Sequence, residues 1–461
     1  RTLRIAGDVM IGGVFPVHSK ASSMDGDSCG KIAETRGVHR VEAMLYALDQ
    51  VNEQKELLRG LTLGAVIMDS CSNPAYALNQ SLDFVRDMIG TSEGSDFVCS
   101  DGEEPRPAES PRKNVVAVVG GSYSSVTVQV ANLLRLFRIV QVSPASTNAD
   151  LSDKSRFEFF ARTVPSDNYQ ARAMIAIAKE FNWTYVSLLY SADEYGELGA
   201  EAFKKEARKE NICIATEERV MLKRESMRES INNLVNKLQT EKEVGAQVVI
   251  LFVNTDYIPP LMDETVRKMK MKSGLAKKKI IWMASEGWDR NNAQYTSGER
   301  RRAAEGAIVL MLKSKRIPQF EQYYKKLSPN DEKFKRNPWL EELWREKFNC
   351  DFGLRAEETK MNRCEDQTHD FADFHADDKV QFTINAVYAI AHALDAMRKA
   401  ECLHEQSVEH RWLARGIPQP DICNAMRKVD GARFYNNYLL KVKFNDSAGE
   451  PFHFSPEGDG P

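Results

Sequence analysis

The residues with the clearest chemical reach are two hydroxyl-rich turns and three cations. Gly120-Gly121-Ser122-Tyr123-Ser124-Ser125 follows a short apolar run and opens a helical stretch, Val126 to Phe137. Free backbone N–H groups and small hydroxyls at a helix N-terminus make an anion site. The turn is neither GxGxxG nor a P-loop, so it does not point to a nucleotide. A plain glycine turn with a serine capping the helix is an equally open reading. A second cluster, Ala145-Ser146-Thr147, follows the next apolar run. In a parallel sheet the two turns lie side by side, where open α/β folds bind ligands. Arg36 and Arg40 stand one helical turn apart at the start of the Val38–Val51 stretch, and Lys379 opens another. Cations at a helix N-terminus oppose the macrodipole by ~0.3–1 kcal/mol each. An anion gripped by both guanidiniums offsets that cost. Solvated arginines, a pair with Glu34 and a structural lysine explain the same residues. Cations beside hydroxyl turns point to a ligand with more than one negative charge.

Catalytic signatures are missing. His-Glu-x-x-His does not occur, and the eight histidines form no ligand set, so no enzyme, cofactor or metal is expected. A net charge of −3 argues against a nucleic-acid partner, which needs a basic face. No apolar run approaches the ~18 residues of a membrane span. The chain opens on Arg1-Thr2-Leu3 with no visible signal peptide. Eight cysteines contain no CxxC pair, which disfavours zinc ribbons and thioredoxin-type sites. Cys350 to Cys364 and Cys402 to Cys423 have the spacing of local disulfide loops; eight reduced thiols remain the alternative. Sequons at Asn79, Asn182 and Asn445 fit a secreted, glycosylated chain.

The 461 residues suggest two to four domains at roughly 150 residues each. Apolar residues at 42% and charged residues at 28% are those of a globular protein with a sizeable core. Short apolar runs at Leu61–Met68, Val115–Val119, Tyr185–Tyr190, Ala246–Val253, Ile280–Ala284 and Ala307–Leu312 read as strands covered on both faces. Helical stripes lie between them: Val38, Val41, Leu45, Leu48; Leu78, Leu82, Val85; and Val380, Ile384, Val387, Ala391, Leu394. Strand–helix alternation of this kind predicts an α/β protein of two doubly wound parallel-sheet lobes. Two polar stretches, 91–113 and 351–377, read as mobile surface insertions.

Several longer motifs carry a family resemblance. Arg36-Gly37-Val38-His39-Arg40-Val41-Glu42-Ala43-Met44 resembles the ligand-binding domain of metabotropic glutamate receptors, which are class C G-protein-coupled receptors. So do Gly120 to Ser125, Val130 to Phe137, Leu151 to Arg156, Asn182 to Ser187, Arg336-Asn337-Pro338-Trp339 and Asn385 to Ala389. The matches span nearly the whole chain and look most like group II. The resemblance implies an extracellular clamshell of the periplasmic-binding-protein type at the plasma membrane, closing on L-glutamate. Lobe 1 is expected over 1–161 plus 314–444 and lobe 2 over 162–313 plus 445–461. Ser124, Ala145 and Thr147, with Ser146 between them, would hold the α-carboxylate. Asp167 would accept from the ammonium, and Tyr195 would approach from lobe 2. Arg36, Arg40 and Lys379 would take the distal carboxylate, with Tyr123 lining the pocket. By the same analogy Cys29 pairs with Cys71, Cys350 with Cys364, and Cys402 with Cys423. Cys99 resembles the cysteine that crosslinks a homodimer. Cys213 resembles one that bonds to a cysteine-rich domain outside this chain. The partners implied are L-glutamate, a second copy, and a G protein through a seven-helix domain that is also outside it.

Two positions depart from the family pattern. Ser285-Glu286-Gly287-Trp288 stands where the family has Ser-Asp-Gly-Trp, so the carboxylate facing the ammonium reaches one methylene further. Asn254 replaces an arginine typical of group II. Both predict weaker or altered agonist preference. The same clamshell binding another amino acid is the closest rival reading; a nutrient-capturing binding protein leaves Cys99 and Cys213 unexplained. A Rossmann-type enzyme lacks its nucleotide motif.

Overall fold

The computed structural model of the chain describes residues 1–21, 29–54, 56–86, 115–240, 247–271, 280–288, 297–353, 361–367, 374–413 and 423–461. They form two compact units. The first holds Arg1–Ser146, Asp153–Val164 and Ser314–Pro461; the second holds Thr147–Ser152 and Pro165–Lys313.

The first unit is built on six strands, β1 (Thr2–Ile5), β2 (Val9–Phe15), β3 (Leu63–Asp69), β4 (Val115–Gly120), β5 (Val140–Ser143) and β6 (Phe160–Arg162). Their order is β1-β3-β2-β4-β5-β6, and every pairing is parallel except that of β1 with β3. The strands read as unbroken apolar runs because helices cover both faces. Ile11, Phe15, Ala65, Ile67, Ala117 and Val119 pack with α1 (His39–Glu53) and the long helix Val380–Leu413. Val14, Val66, Met68 and Val118 point the other way, against Val126, Val130 and Leu134 of α2 (Ser124–Leu134). The stripes Val38–Leu48 and Val380–Leu394 are buried throughout, each of their Val, Ile and Leu side chains contributing about 1.5–3 kcal/mol. The stripe Leu78, Leu82, Val85 is broken. Helix Pro74–Ser81 tightens into a 3₁₀ turn at Leu82–Phe84, which leaves Leu82 exposed and turns Phe84 inward instead.

The second unit carries β7 (Tyr185–Ser191), β8 (Cys213–Val220), β9 (Val248–Phe252), β10 (Ile281–Ala284) and β11 (Ile308–Val309), all parallel, in the order β8-β7-β9-β10-β11. Its helices include α3 (Asp167–Glu180) and α4 (Glu194–Lys209). The α/β class and doubly wound sheets are as the sequence predicts.

Three expectations need correction. Residues 445–461 belong with the first unit, because the Arg162 N–H donates to Gly458 O at 2.8 Å and Phe452 and Phe454 enter its core. Thr147–Ser152 in turn belongs to the second unit; the Asp167 N–H donates to Thr147 O at 2.7 Å. The described part of 351–377 is no free surface insertion: Cys364 is fully buried in a disulfide, and the Asp377 side chain, 8% exposed, is held in an ion pair. The stretch 91–113, with Cys99, lies outside the described residues.

Disulfides join Cys29 to Cys71, Cys350 to Cys364 and Cys402 to Cys423, so those six are not reduced thiols. Cys213 is an exposed thiol. Asn79, Asn182 and Asn445 are all exposed. Among the described residues no helix is long and apolar enough to cross a membrane.

Candidate ligand-binding site

In the first unit the Gly120–Ser125 turn and the Ala145-Ser146 part of the second turn lie on adjacent strand ends and are stitched together. Ser143 Oγ donates to Gly121 O at 2.7 Å, Ser146 Oγ donates to the same oxygen at 3.0 Å, and Gln141 Nε2 donates to Gly120 O at 2.9 Å. Gly120 and Gly121 have φ of +129° and +74°; a Cβ on the second would sit 2.1 Å from Thr127 Oγ1. Only glycine permits this turn to hug the helix that follows. The serine-cap reading does not hold, since Tyr123 is the N-cap of α2 and no side chain caps it. Ser124, the first residue of α2, is 3% exposed, and Ser122 Oγ is buried with no hydrogen-bond partner among the described residues. Ala145 and Ser146 are buried too, but the Ser146 hydroxyl, 2.5 Å from Thr127 Oγ1, serves to bind the two turns together.

The three cations differ in their commitments. Arg36, half-buried, donates to the Tyr123 hydroxyl at 2.6 Å, which ties it to the first turn. Arg40 is 5% exposed and grips Asp377 through Nε (2.8 Å) and Nη2 (3.1 Å). Burial works to raise the Asp377 carboxyl, but the Arg40 guanidinium and the Lys379 N–H, 2.8 Å away, hold it below the usual carboxylate range. Glu34 pairs with Lys347 at 2.8 Å. Lys379 opens the long helix, its Nζ 5.9 Å from the Phe382 ring centroid. Burial takes His39 down to about 4, so the imidazole is neutral, and its Nδ1 accepts the Asp377 N–H at 3.3 Å.

The second unit gathers carboxylates and hydroxyls. Asp167 opens α3 and is fully buried. Thr147 Oγ1 donates to Glu286 Oε1 at 3.2 Å, and the Glu286 N–H donates to Gln170 Oε1 at 3.2 Å. Tyr195, 5% exposed, donates its hydroxyl to Ser285 Oγ at 2.8 Å. Burial first, then the charges of Asp167 and Glu286, raise this phenol well above its ordinary value, so it stays a neutral donor. Asn254 Nδ2 donates to Asp193 Oδ2 at 2.9 Å, and Asp193 caps α4. Two carboxylates among hydroxyls suit an ammonium, as the first unit's cluster suits carboxylates.

Among the described residues one other group has metal-ligand spacing: His18, Cys29, Asp69 and Cys71. Its two sulfurs are joined in a disulfide, which removes the thiolates a metal would need.

Residues 39–461 match the family model for the receptor family ligand binding region. The chain belongs to that family. It is similar over its full length to the probable metabotropic glutamate receptor mgl-1 of Caenorhabditis elegans, 63% identical across 479 residues and 47% of that protein. It is 39% identical to the metabotropic glutamate receptor of Drosophila melanogaster, over 48% of that chain. It is likewise 39% identical to metabotropic glutamate receptor 6 of Oryctolagus cuniculus, over 50% of its length. These relatives are receptors, not enzymes, and the chain spans about half their length. It is a receptor-family ligand-binding region, and it is similar to about half the length of these metabotropic glutamate receptors.

Sequence reasoning missed Asp377, which it placed in an insertion, and Gln170 and Ser285, which position Glu286 and Tyr195. The only available signal for Asp377 was a carboxylate pair, Asp377-Asp378, just before the cation Lys379.

Proposed function

We propose that this region senses L-glutamate on the extracellular side of the plasma membrane. One observation carries the reading: cationic and hydroxyl groups are gathered in one unit and carboxylates with neutral hydroxyls in the other. L-Glutamate bears two carboxylates and one ammonium, which match those two sets. Ser124, Ala145 and Thr147 take the α-carboxylate through hydroxyl and backbone groups. Arg36 and Lys379 take the distal carboxylate, with Tyr123 beside them and Arg40 oriented by Asp377. Asp167, Tyr195 and Glu286 complete the ammonium side. A ligand engaging both sets favours the closed arrangement of the lobes by the difference in contacts. In a homodimer crosslinked through Cys99, that closure re-angles the protomers and drives a G-protein-coupled membrane domain. Disulfides and exposed sequons at Asn79, Asn182 and Asn445 suit an extracellular setting.

Glu286 favours a second reading, in which the same fold prefers another amino acid, because its carboxylate already occupies Thr147. Isothermal titration calorimetry with L-glutamate, glycine and L-alanine separates the two. L-Glutamate binding that Arg36→Ala abolishes, with the shorter ligands ignored, supports the glutamate sensor. Uptake of glycine or L-alanine in its place overturns it.

A further inference from the structure

The mechanism above makes no use of Arg162, one of the largest fully buried side chains in the chain. Its Nε donates to Asp459 Oδ1 at 2.7 Å and its Nη1 to Ser146 O at 3.1 Å. Asp459 is itself set in a closed turn. The Asp459 N–H donates to Ser455 Oγ (3.1 Å), and the Ser455 N–H to Asp459 O (2.8 Å). That turn lies along β6: the Arg162 N–H donates to Gly458 O at 2.8 Å, and the Gly460 N–H to Val164 O at 3.3 Å. Gly460 has no room for a side chain, since a Cβ would fall 2.4 Å from the Thr163 carbonyl carbon.

The Ser146 carbonyl belongs to the same planar peptide as the Thr147 N–H. No peptide here is cis, so the two groups point in opposite directions. A buried cation on the carbonyl draws charge through the amide and makes the N–H a stronger donor, as linked hydrogen bonds polarise one another. Ser146 is also pinned through its N–H to Ser143 Oγ (3.0 Å) and its hydroxyl to Gly121 O (3.0 Å). The peptide is thus fixed in orientation and polarised from behind.

We propose that Arg162 is a positioning residue for the ligand's α-carboxylate, acting through the Ser146–Thr147 peptide, and that the 455–460 turn contributes to affinity by holding Arg162 through Asp459. This rests on the reading in which the Ala145–Thr147 turn receives that carboxylate. Burial of both groups in an ion pair is no argument for stability, because a neutral pair of similar volume is often as stable. A role in ligand binding explains why the charge is there.

The test replaces the charges and keeps hydrogen-bonding groups: Arg162→Gln with Asp459→Asn, and Asp459→Asn alone. L-Glutamate affinity is measured by calorimetry, heat unfolding without ligand by calorimetric scan, and the Thr147 amide by NMR on threonine-¹⁵N protein. The double variant is expected to bind about tenfold more weakly and the single variant about threefold. The unfolding midpoint should stay near that of the parent, and the Thr147 amide proton should move upfield in the unliganded protein. Unchanged affinity with an unmoved Thr147 amide overturns the proposal. So does a loss of affinity that only parallels a fall in the midpoint. If the parent protein binds no L-glutamate, the functional reading falls by itself, and the Thr147 shift still decides whether Arg162 polarises that peptide. Should the double variant not fold, the single variant carries the same comparison.

Discussion

Thr147 Oγ1 and Glu286 Oε1 stand 3.2 Å apart in a hydrogen bond that joins the hydroxyl turn to the residue one methylene longer than the family's aspartate. In the proposed site, the extra length lets the carboxylate reach the hydroxyl that a ligand α-carboxylate would otherwise take. A ligand must then displace Glu286 from Thr147, and a hydrogen bond to a charged group is worth about 1.5–3 kcal/mol. Glu286→Asp shortens the reach and releases the hydroxyl. L-Glutamate affinity should rise about tenfold, read by calorimetry; an unchanged or weaker Kd shows that Glu286 does not compete.

The pair of Arg40 with Asp377 makes a different prediction, about stability. Both side chains are nearly sealed from solvent, 6% and 8% exposed, so screening is slight. Asp377→Ala strands a guanidinium in the interior and should cost about 3–5 kcal/mol in urea unfolding. Arg36→Ala, at a half-buried position, should cost under about 1 kcal/mol while removing glutamate binding. If Asp377→Ala unfolds like the parent, Arg40 is not held by that pair.

Arg40 and Asp377 also mark the limit of what the sequence discloses. The strands were legible because parallel strands buried on both faces must be continuously apolar. The helices of α1 and Val380–Leu413 were legible because one face of each had to be apolar at a spacing of three and four. The two hydroxyl turns could be placed together from the same parallel topology. Nothing in local pattern couples Arg40 to a carboxylate 337 residues away, so a residue in a charged polar stretch read as solvated. The tail shows the same limit. Residues 455–460 look like a generic Pro-Gly-Asp ending, yet Asp459 meets Arg162 297 positions back. Long-range ion pairs leave no periodicity, and the Leu82 stripe failed because a helix can tighten without any change of composition.

His39 carries a pH prediction. Burial lowers it to about 4 from an ordinary 6.5, so between those values the unfolded chain binds a proton that the folded chain does not. Stability therefore falls as pH drops through that window, by about 3 kcal/mol from this group. His39→Gln keeps an acceptor for the Asp377 N–H and cannot titrate. Urea unfolding of this variant at pH 7, 6, 5 and 4.5 should lose less stability on acidification than the parent. Parallel curves for the two proteins exclude His39 as the source.

His18 should behave with the opposite sign. Its Nδ1 lies 2.5 Å from Asp69 Oδ2 and its Nε2 3.0 Å from Glu342 Oε1, with Arg1 on the far oxygen of Glu342 at 2.7 Å. Burial works to lower this imidazole, but the hydrogen bonds to Asp69 and Glu342 and their charges outweigh it, and the net direction is upward. A group raised on folding stabilises fully below its unfolded value near 6.5 and ceases to do so as pH rises through its folded value. Hydrogen bonds to a charged partner are worth about 1.5–3 kcal/mol, so His18→Asn should cost about that much at pH 5.5. The deficit should shrink steadily towards pH 9, where the parent's imidazole has also lost its charge. A deficit that is the same at both ends of the range means that the imidazole packs there without bridging the two carboxylates as a cation.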